Sequence, residues 1–152
     1  MSSIQWVDEA WEKSVAKVTE NSKRIGATFP HVSKDGKYDA MKASWWTSGF
    51  WPGILWLIYQ ENGDATLRAI AEECEIGLKE TLHEFNDLHH DVGFMYSLSS
   101  VANYKVTGNP ESLRSGLIAA NYLAGRFNVK GILSVPGMTG LTRASMEARL
   151  DG

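Results

Sequence analysis

The stretch Ile54-Leu55-Trp56-Leu57-Ile58-Tyr59-Gln60-Glu61-Asn62-Gly63-Asp64 decides the fold of this chain. Its first six residues are all apolar, a pattern that fits either a buried helix or a buried strand. The polar residues that follow end in Gly63, and glycine just past the last turn is typical of a helix C-terminus. Asp64 is then a favourable N-cap for another helix. We therefore predict a buried helix, a tight turn and a second helix.

The helix that follows Asp64 is predicted to be amphipathic. Its apolar face is formed by Leu67, Ile70, Ala71, Cys74 and Leu78. Its charged residues, which we expect to be solvated, are Arg68, Glu72, Glu73, Glu75, Lys79 and Glu80. A helix with one apolar stripe lies on the outside of a core. The two helices are thus expected to form a hairpin with an inner and an outer member.

The same order of elements recurs farther along the chain. A weakly charged apolar run begins at Phe94 and is closed by Gly108, and Asn109-Pro110 opens a second amphipathic helix. The repeat length of about 45 residues lies within the range of helical-repeat arrays. Because successive inner helices of such an array run parallel, the loops that precede them are expected to meet at one end.

Two unusual loops precede the two inner helices. The Trp loop is Trp45-Trp46-Thr47-Ser48-Gly49-Phe50-Trp51-Pro52-Gly53, and the His-His-Asp loop is Asp87-Leu88-His89-His90-Asp91-Val92-Gly93-Phe94. The flat faces of tryptophan can stack on sugar rings. Imidazoles and carboxylates are the groups that proteins use most often for proton transfer. The repeat predicts that both loops form one rim, and this rim is the candidate site.

The segment before the Trp loop is predicted to contain a helix from Ile4 to Ile25 and then a long loop. The apolar residues of the helix recur mostly on one face, and Trp6 and Trp11 are interpreted as helix-packing residues. Lys34-Asp35-Gly36-Lys37 is a predicted turn within the loop.

The composition of the chain limits which kinds of protein it could be. A chain of 152 residues with a net charge of −3 is expected to be one domain with neither a nucleic-acid partner nor a membrane partner. The acidic residues Asp8, Glu9 and Glu12 stand where a signal peptide would be basic and then apolar. With one cysteine, no internal disulfide forms. We therefore expect a soluble, cytoplasmic protein.

The residues of the candidate site also have structural readings. Asp91 fits the N-cap of the helix that begins near Phe94, and one of the two histidines can satisfy a buried backbone group. His89 and His90 are adjacent and should point in different directions, so we expect no metal site. Trp45, Trp51 and Trp56 are interpreted as core residues, and Cys74 as a buried thiol. From the residues alone, these structural interpretations and a catalytic role for the same residues both remain open.

Three segments of the chain resemble the N-terminal part of glycoside hydrolase family 88, the unsaturated glucuronyl hydrolases. They are Trp46-Thr47-Ser48-Gly49-Phe50-Trp51, Gly53-Ile54-Leu55-Trp56-Leu57 and Leu88-His89-His90-Asp91-Val92-Gly93-Phe94-Met95-Tyr96-Ser97. The resemblance extends to Gly131. It implies an all-α fold, the N-terminal portion of an (α/α)6 barrel built from inner/outer helical hairpins.

The resemblance also implies a reaction and site residues. The family removes unsaturated glucuronic acid from the non-reducing end of lyase-generated oligosaccharides by hydrating a vinyl ether. It implies Asp91 as a catalytic residue, Trp46 and His90 as substrate-binding residues, an unsaturated uronyl oligosaccharide as the partner, and no cofactor. Ser48 stands where the family often has aspartate. The unsaturated rhamnogalacturonyl hydrolases, which share fold and chemistry, are an alternative.

The match ends after Gly131. The family's second catalytic aspartate, the proton donor, has no counterpart, because neither Glu147 nor Asp151 has a matching context. We therefore expect residues 1–131 to form a partial domain, and residues 132–152 to be a divergent tail of a truncated or frameshifted member that is inactive alone. Exposed inner helices should then drive self-association. The alternative function is a non-catalytic helical remnant or a carbohydrate-binding fragment.

Overall fold

The structure is a computed structural model that describes residues 4–85, 87–128, 133 and 134. Most of these residues are helical. The helices are α1 (Gln5–Ile25), α2 (Phe50–Asn62), α3 (Ala65–Glu84), α4 (Val92–Tyr96), α5 (Ala102–Thr107) and α6 (Pro110–Gly125), with a π-helical segment (Ser97–Val101) between α4 and α5. The antiparallel strand pairs are β1 (Ser33–Lys34) with β2 (Lys37–Tyr38), and β3 (Phe127–Asn128) with β4 (Leu133–Ser134). The predicted turn at residues 34–37 joins β1 to β2.

The first hairpin, α2 and α3, forms as the sequence predicts. Gly63 ends α2 in the left-handed conformation with φ +68°, and its N–H donates to the Tyr59 carbonyl at 2.8 Å. Asp64 Oδ1 accepts hydrogen bonds from the backbone N–H groups of Thr66 and Leu67 at 2.8 and 3.4 Å. These contacts satisfy backbone groups that helix ends leave unpaired. The choice between helix and strand for the apolar run is therefore settled as helix.

The second hairpin repeats this arrangement. Residues 92–107 form one inner rod, because α4, the π-helical segment and α5 follow without a break. The rod ends at Gly108 with φ +75°, and Asn109 Oδ1 accepts from the Glu111 N–H at 3.0 Å to begin α6. Pro110 occupies the first position of α6, where its missing N–H costs nothing. The predicted internal repeat is confirmed.

The two hairpins pack as two layers. Helix α2 lies against α3 and the inner rod, while α6 contacts both the rod and α3. The fully buried side chains between these layers include Leu55, Trp56, Ile58, Leu67, Leu78, Leu82, Met95 and Tyr96. Burying a side chain of this size contributes about 1.5–3 kcal/mol. The loops that precede the inner helices are thus held at a common end by the core.

Helix α1 is anchored by its second half only. Val15, Val18 and Ile25 pack against the core, whereas Trp6 and Trp11 are exposed. The interpretation of both tryptophans as helix-packing residues is therefore wrong for the described part of the chain. The reason is that the core contacts of α1 begin at Val15, beyond the turns that carry these residues.

Glu75 departs from the expected solvated face of α3. It is only 6% exposed, and its Oε2 accepts a hydrogen bond from Asn103 Nδ2 at 2.6 Å. Asn103, which supplies the donor, belongs to α5 and reaches Glu75 across the core. A carboxylate can be buried when such a partner offsets part of the lost hydration.

The greater part of the predicted tail lies outside the described residues, which include only 133 and 134 of positions 132–152. The boundary at residue 131 stays a prediction. None of the helices that the structure describes is long and apolar enough to cross a membrane.

Candidate functional site

The Trp loop and the segment just before it contact the His-His-Asp loop directly. Lys42 forms an ion pair with Asp87, and Ser44 Oγ donates to Asp87 Oδ2 at 3.4 Å. The hydrogen bond and charge of Lys42 hold the pKa of Asp87 below its usual range. His89 Nε2 lies 3.2 Å from the Ser44 carbonyl oxygen. The predicted convergence of the two loops is confirmed.

The starts of the two inner helices approach each other closely. A Cβ atom placed on Gly49 would lie 2.4 Å from the Met95 carbonyl oxygen. Only glycine fits this position, because every other side chain begins with that atom. The close contact fixes the first turn of α2 against α4 and so aligns the two loops.

Trp46 begins a row of exposed aromatic rings across this rim. Its ring lies edge-on to Phe50 with centroids 6.0 Å apart, and Phe50 stacks on Phe94 at 6.4 Å. All three side chains are exposed. The row therefore offers apolar faces that lead from the Trp loop to the His-His-Asp loop, a surface suited to sugar rings.

The ring of Trp46 is supported from the loop that precedes it. His31 lies edge-on to Trp45 at 5.4 Å and to Trp46 at 6.0 Å. The backbone N–H groups of His31 and Val32 donate to Asp39, and these bonds lower the pKa of its carboxyl group. The hairpin of β1 and β2 thereby positions the imidazole behind the tryptophan pair.

The other tryptophans of the Trp loop region belong to the core. Trp56 is fully buried, and Trp51 is buried with its Nε1 donating to the Gly26 carbonyl at 2.9 Å. Trp45 is only partly buried. The interpretation of Trp51 and Trp56 as core residues is confirmed.

Asp91 lies at the N-cap position of α4, but its carboxyl group makes no cap hydrogen bond. Instead, its Oδ2 lies 3.3 Å from His89 Nδ1 and 3.4 Å from His90 Nε2. The expectation that the two histidines point in different directions is therefore wrong. The turn at 89–92, in which the Val92 N–H bonds to the His89 carbonyl at 3.4 Å, brings both rings to the same oxygen.

The two histidines differ in exposure. The His89 side chain is 21% exposed and binds the Ser44 carbonyl, whereas the His90 side chain is 57% exposed. The reading in which one histidine satisfies a buried backbone group is confirmed for His89. His90 is thus the imidazole that solvent, or a ligand, can reach beside Asp91.

Other reactive groups are placed away from this chemistry. Burial raises the pKa of the Cys74 thiol to about 12, which confirms it as an inert buried residue. Within residues 4–85, 87–128 and 133–134, no group of three or more His, Cys, Asp or Glu side chains could hold a metal ion.

A cavity of about 640 Å³ between α1 and α2 is lined by Phe50 and His31 but not by Asp91.

The geometry is similar to that of solved unsaturated glucuronyl hydrolases. The crystal structure of the enzyme from Bacillus sp. GL1 matches with a TM-score of 0.78 and 35% identity, over 90% of this chain and 37% of that chain. A structure of an unsaturated glucuronyl hydrolase (UGL) variant with dGlcA-Glc-Rha-Glc matches with a TM-score of 0.80 and 34% identity. This match also covers 90% of this chain and 37% of that chain. The chain belongs to glycoside hydrolase family 88. Its fold is part of that family's α/α barrel, and this confirms the fold expected from the sequence.

Curated family 88 relatives agree with this assignment. The unsaturated glucuronyl hydrolase of Bacillus sp. (strain GL1) is 38% identical over 138 residues, which are 86% of this chain and 36% of that protein. The unsaturated chondroitin disaccharide hydrolase of Streptococcus pyogenes serotype M1 is 33% identical over 82% of this chain and 32% of its own length. The chain thus spans about a third of these relatives. No family model matches it.

The sequence reasoning missed two parts of this candidate site. Phe50 and Phe94 extend the aromatic row of Trp46, and His89 links Asp91 to Ser44. A signal for the first was present, since Phe50 and Phe94 lie within the two loops that the repeat brings together. No sequence signal distinguishes His89 from His90, because the difference depends on a contact with a residue 45 positions away.

Proposed function

We propose that this chain acts in the removal of unsaturated glucuronic acid from the non-reducing end of lyase-generated oligosaccharides. The observation that carries the proposal is the half-buried Asp91 carboxyl group, with two imidazoles within 3.4 Å, at the end of an exposed aromatic row. Family membership supports it, because the relatives are named unsaturated glucuronyl hydrolases and unsaturated chondroitin disaccharide hydrolases. The solved Bacillus sp. GL1 enzyme is described as responsible for the degradation of glycosaminoglycan.

The reaction would proceed by hydration of the vinyl ether rather than by displacement at the anomeric carbon. A proton adds to C4 of the unsaturated uronate and water adds to C5, losing its own proton to a base. The resulting hemiketal then collapses and releases the remaining sugar. In this scheme the Asp91 carboxyl group steadies the charge that develops on the ring, while the family's proton donor is a second aspartate.

Substrate contacts would come from the exposed members of the same rim. The uronate ring would stack on Trp46, and His90 Nδ1 would accept a hydrogen bond from a sugar hydroxyl, because Nε2 faces Asp91 Oδ2 at 3.4 Å. Both side chains are exposed, and His90 already contacts the carboxyl oxygen of Asp91. The arrangement thus gives each of the three predicted residues a separate task.

The test is turnover of a conjugated uronate. The purified chain is incubated with lyase-derived unsaturated glucuronyl disaccharides, and the loss of their ultraviolet absorbance is followed. If the chain turns over the disaccharide, we expect Asp91→Asn to abolish the loss, and Asp8→Asn, at an exposed position of α1, to retain it. A rate unchanged by Asp91→Asn contradicts the role of Asp91. Faster turnover of unsaturated rhamnogalacturonyl disaccharides would assign the related specificity instead.

Carbohydrate binding without turnover is the second candidate. The observation that favours it is the aromatic row, which does not depend on Asp91 for its stacking. We expect Trp46→Ala to weaken disaccharide binding measured by calorimetry, whereas the same change at exposed Trp6 leaves it intact. Binding that survives Trp46→Ala would remove the row from the proposal.

A further inference from the structure

His89 lies between the two loops and contacts both. Its Nε2 is 3.2 Å from the Ser44 carbonyl oxygen of the segment before the Trp loop. Its Nδ1 accepts a hydrogen bond from the Asp91 backbone N–H at 3.2 Å, and it also lies 3.3 Å from Asp91 Oδ2. One ring therefore connects the candidate catalytic residue to the opposite loop.

These partners determine where the imidazole carries its proton. A carbonyl oxygen such as that of Ser44 only accepts, so Nε2 must donate to it. A backbone N–H such as that of Asp91 only donates, so Nδ1 must present a lone pair to it. Both backbone requirements are met by the neutral tautomer with hydrogen on Nε2, and a neutral Nδ1–H tautomer meets neither. In the Nε2–H tautomer, the 3.3 Å approach of Nδ1 to Asp91 Oδ2 is a contact without a hydrogen bond.

The segment around His89 is held on its other side as well. The Leu88 carbonyl oxygen accepts a hydrogen bond from the Tyr122 hydroxyl of α6 at 2.8 Å. His89 is mostly buried and bonded to backbone at both nitrogens, whereas His90 is mostly exposed and lies 3.4 Å from the carboxyl oxygen. The geometry of His89 is thus imposed by the fold and does not depend on a ligand.

The backbone of Asp91 is held in position as a consequence. In the described part of the chain, both of its side-chain contacts are made at Oδ2, on the side of the histidines. In the Nε2–H tautomer, Nδ1 has no hydrogen to donate to Oδ2, so His89 acts on Asp91 through its backbone N–H, while His90 Nε2 lies 3.4 Å from Oδ2. Small errors in such a position are costly, since a misplacement of about 1 Å can slow a reaction roughly 100-fold.

We propose that His89 is the positioning residue of Asp91. As the neutral Nε2–H tautomer it ties the Asp91 backbone to the Ser44 carbonyl and so fixes the position from which the carboxyl group extends. The catalytic consequence rests on the proposed function, whereas the tautomer and the tether do not. The two parts can therefore be tested separately.

The first experiment measures the tautomer in the intact chain. Long-range ¹H–¹⁵N correlation spectra distinguish protonated from unprotonated imidazole nitrogens, and the His89 signals are assigned by their loss in His89→Gln. At neutral pH we expect His89 as the Nε2–H tautomer, and exposed His83 as an averaged mixture. A His89 ring that carries hydrogen on Nδ1, or one that averages like His83, overturns the proposal whether or not the chain turns over substrate.

The second experiment separates the two contacts by substitution. The amide oxygen of asparagine can replace Nδ1 as the acceptor for the Asp91 N–H, while the amide nitrogen of glutamine can replace Nε2 as the donor to Ser44. We expect kcat to fall about 100-fold in His89→Ala with KM within about twofold, and to be partly restored in His89→Asn but not in His89→Gln. His83→Ala, at the exposed end of α3, is the control and should leave both constants unchanged.

The outcomes distinguish this proposal from the proposed function. If the wild-type chain turns over substrate and His89→Ala keeps its kcat, the positioning role is wrong while the function stands. If the wild-type chain shows no turnover, the proposed activity fails for this chain, and the tautomer measurement still decides the tether. Circular dichroism of each variant establishes that it is folded, and the NMR experiment on the wild-type chain needs no variant to fold.

Discussion

Ser48 shows how a single residue in the Trp loop departs from ordinary packing. It is fully buried, and its hydroxyl group has no hydrogen-bond partner among the described residues. Burying a hydroxyl group that has no hydrogen-bond partner destabilises the fold, because its hydrogen bonds to water are lost and not replaced.

We expect Ser48→Ala to raise the free energy of unfolding by about 1 kcal/mol, because the substitution removes the unpaired hydroxyl. The matched control is Ser99→Ala, since Ser99 is equally buried but donates to the Met95 carbonyl at 2.5 Å. That control should lower the stability by about 1 kcal/mol. Urea denaturation followed by circular dichroism measures both values, and a destabilised Ser48→Ala variant would show that its hydroxyl has a partner in solution.

Pairs of elements, rather than single residues, set the geometry of the rim. The N-terminal turn of α2 touches α4 at Gly49, and the preceding segment is joined to the His-His-Asp loop through Lys42 and Ser44. Both inner helices must begin at the same level for these contacts to form.

We expect Gly49→Ala to destabilise the fold by at least about 1–3 kcal/mol, because its Cβ would clash with the backbone of Met95. Gly125→Ala in α6 is the control, since a Cβ there meets nothing within 4 Å. The free energy of unfolding from urea titration is the measurement. Equal stability of the two variants would mean that α2 and α4 do not approach each other as described.

Among the described residues of the molecule, the inner layer leaves apolar surface exposed. Leu57 of α2 is 60% exposed, and Ile54 and Phe94 are also exposed, although all three lie on inner elements. Contiguous apolar surface of this kind promotes association. Self-association, expected from the sequence, remains a prediction at this scale.

We expect the chain to form larger species as its concentration rises, and Leu57→Gln to shift the distribution toward monomer. Leu117 of the outer helix α6 is 56% exposed, so Leu117→Gln removes a similar amount of apolar surface from another face. Sedimentation velocity over a range of concentrations gives the distribution for each variant. A monomer at every concentration, or an equal effect of both substitutions, would contradict association through the inner layer.

The sequence by itself determined the helices, their ends and the repeat. Gly63, Asp64, Gly108 and Asn109 act on groups within a few residues of themselves, so their effects can be read locally. The repeat then placed both loops on one rim, and the motifs within them pointed to family 88. Asp91, Trp46 and His90 were all singled out on this basis, and their catalytic and binding roles stay proposals.

Only the tertiary structure decided which partner each of these side chains has. His89 contacts Ser44, and Glu75 is buried against Asn103, although the two residues of each pair are far apart in sequence. Trp6 is exposed because its neighbours do not cover it. Local pattern carries no information about such partners, because a polar residue is buried or solvated according to what packs on it. The orientation of the Asp91 carboxyl group is therefore a property of the fold, whereas its place on the rim is a property of the sequence.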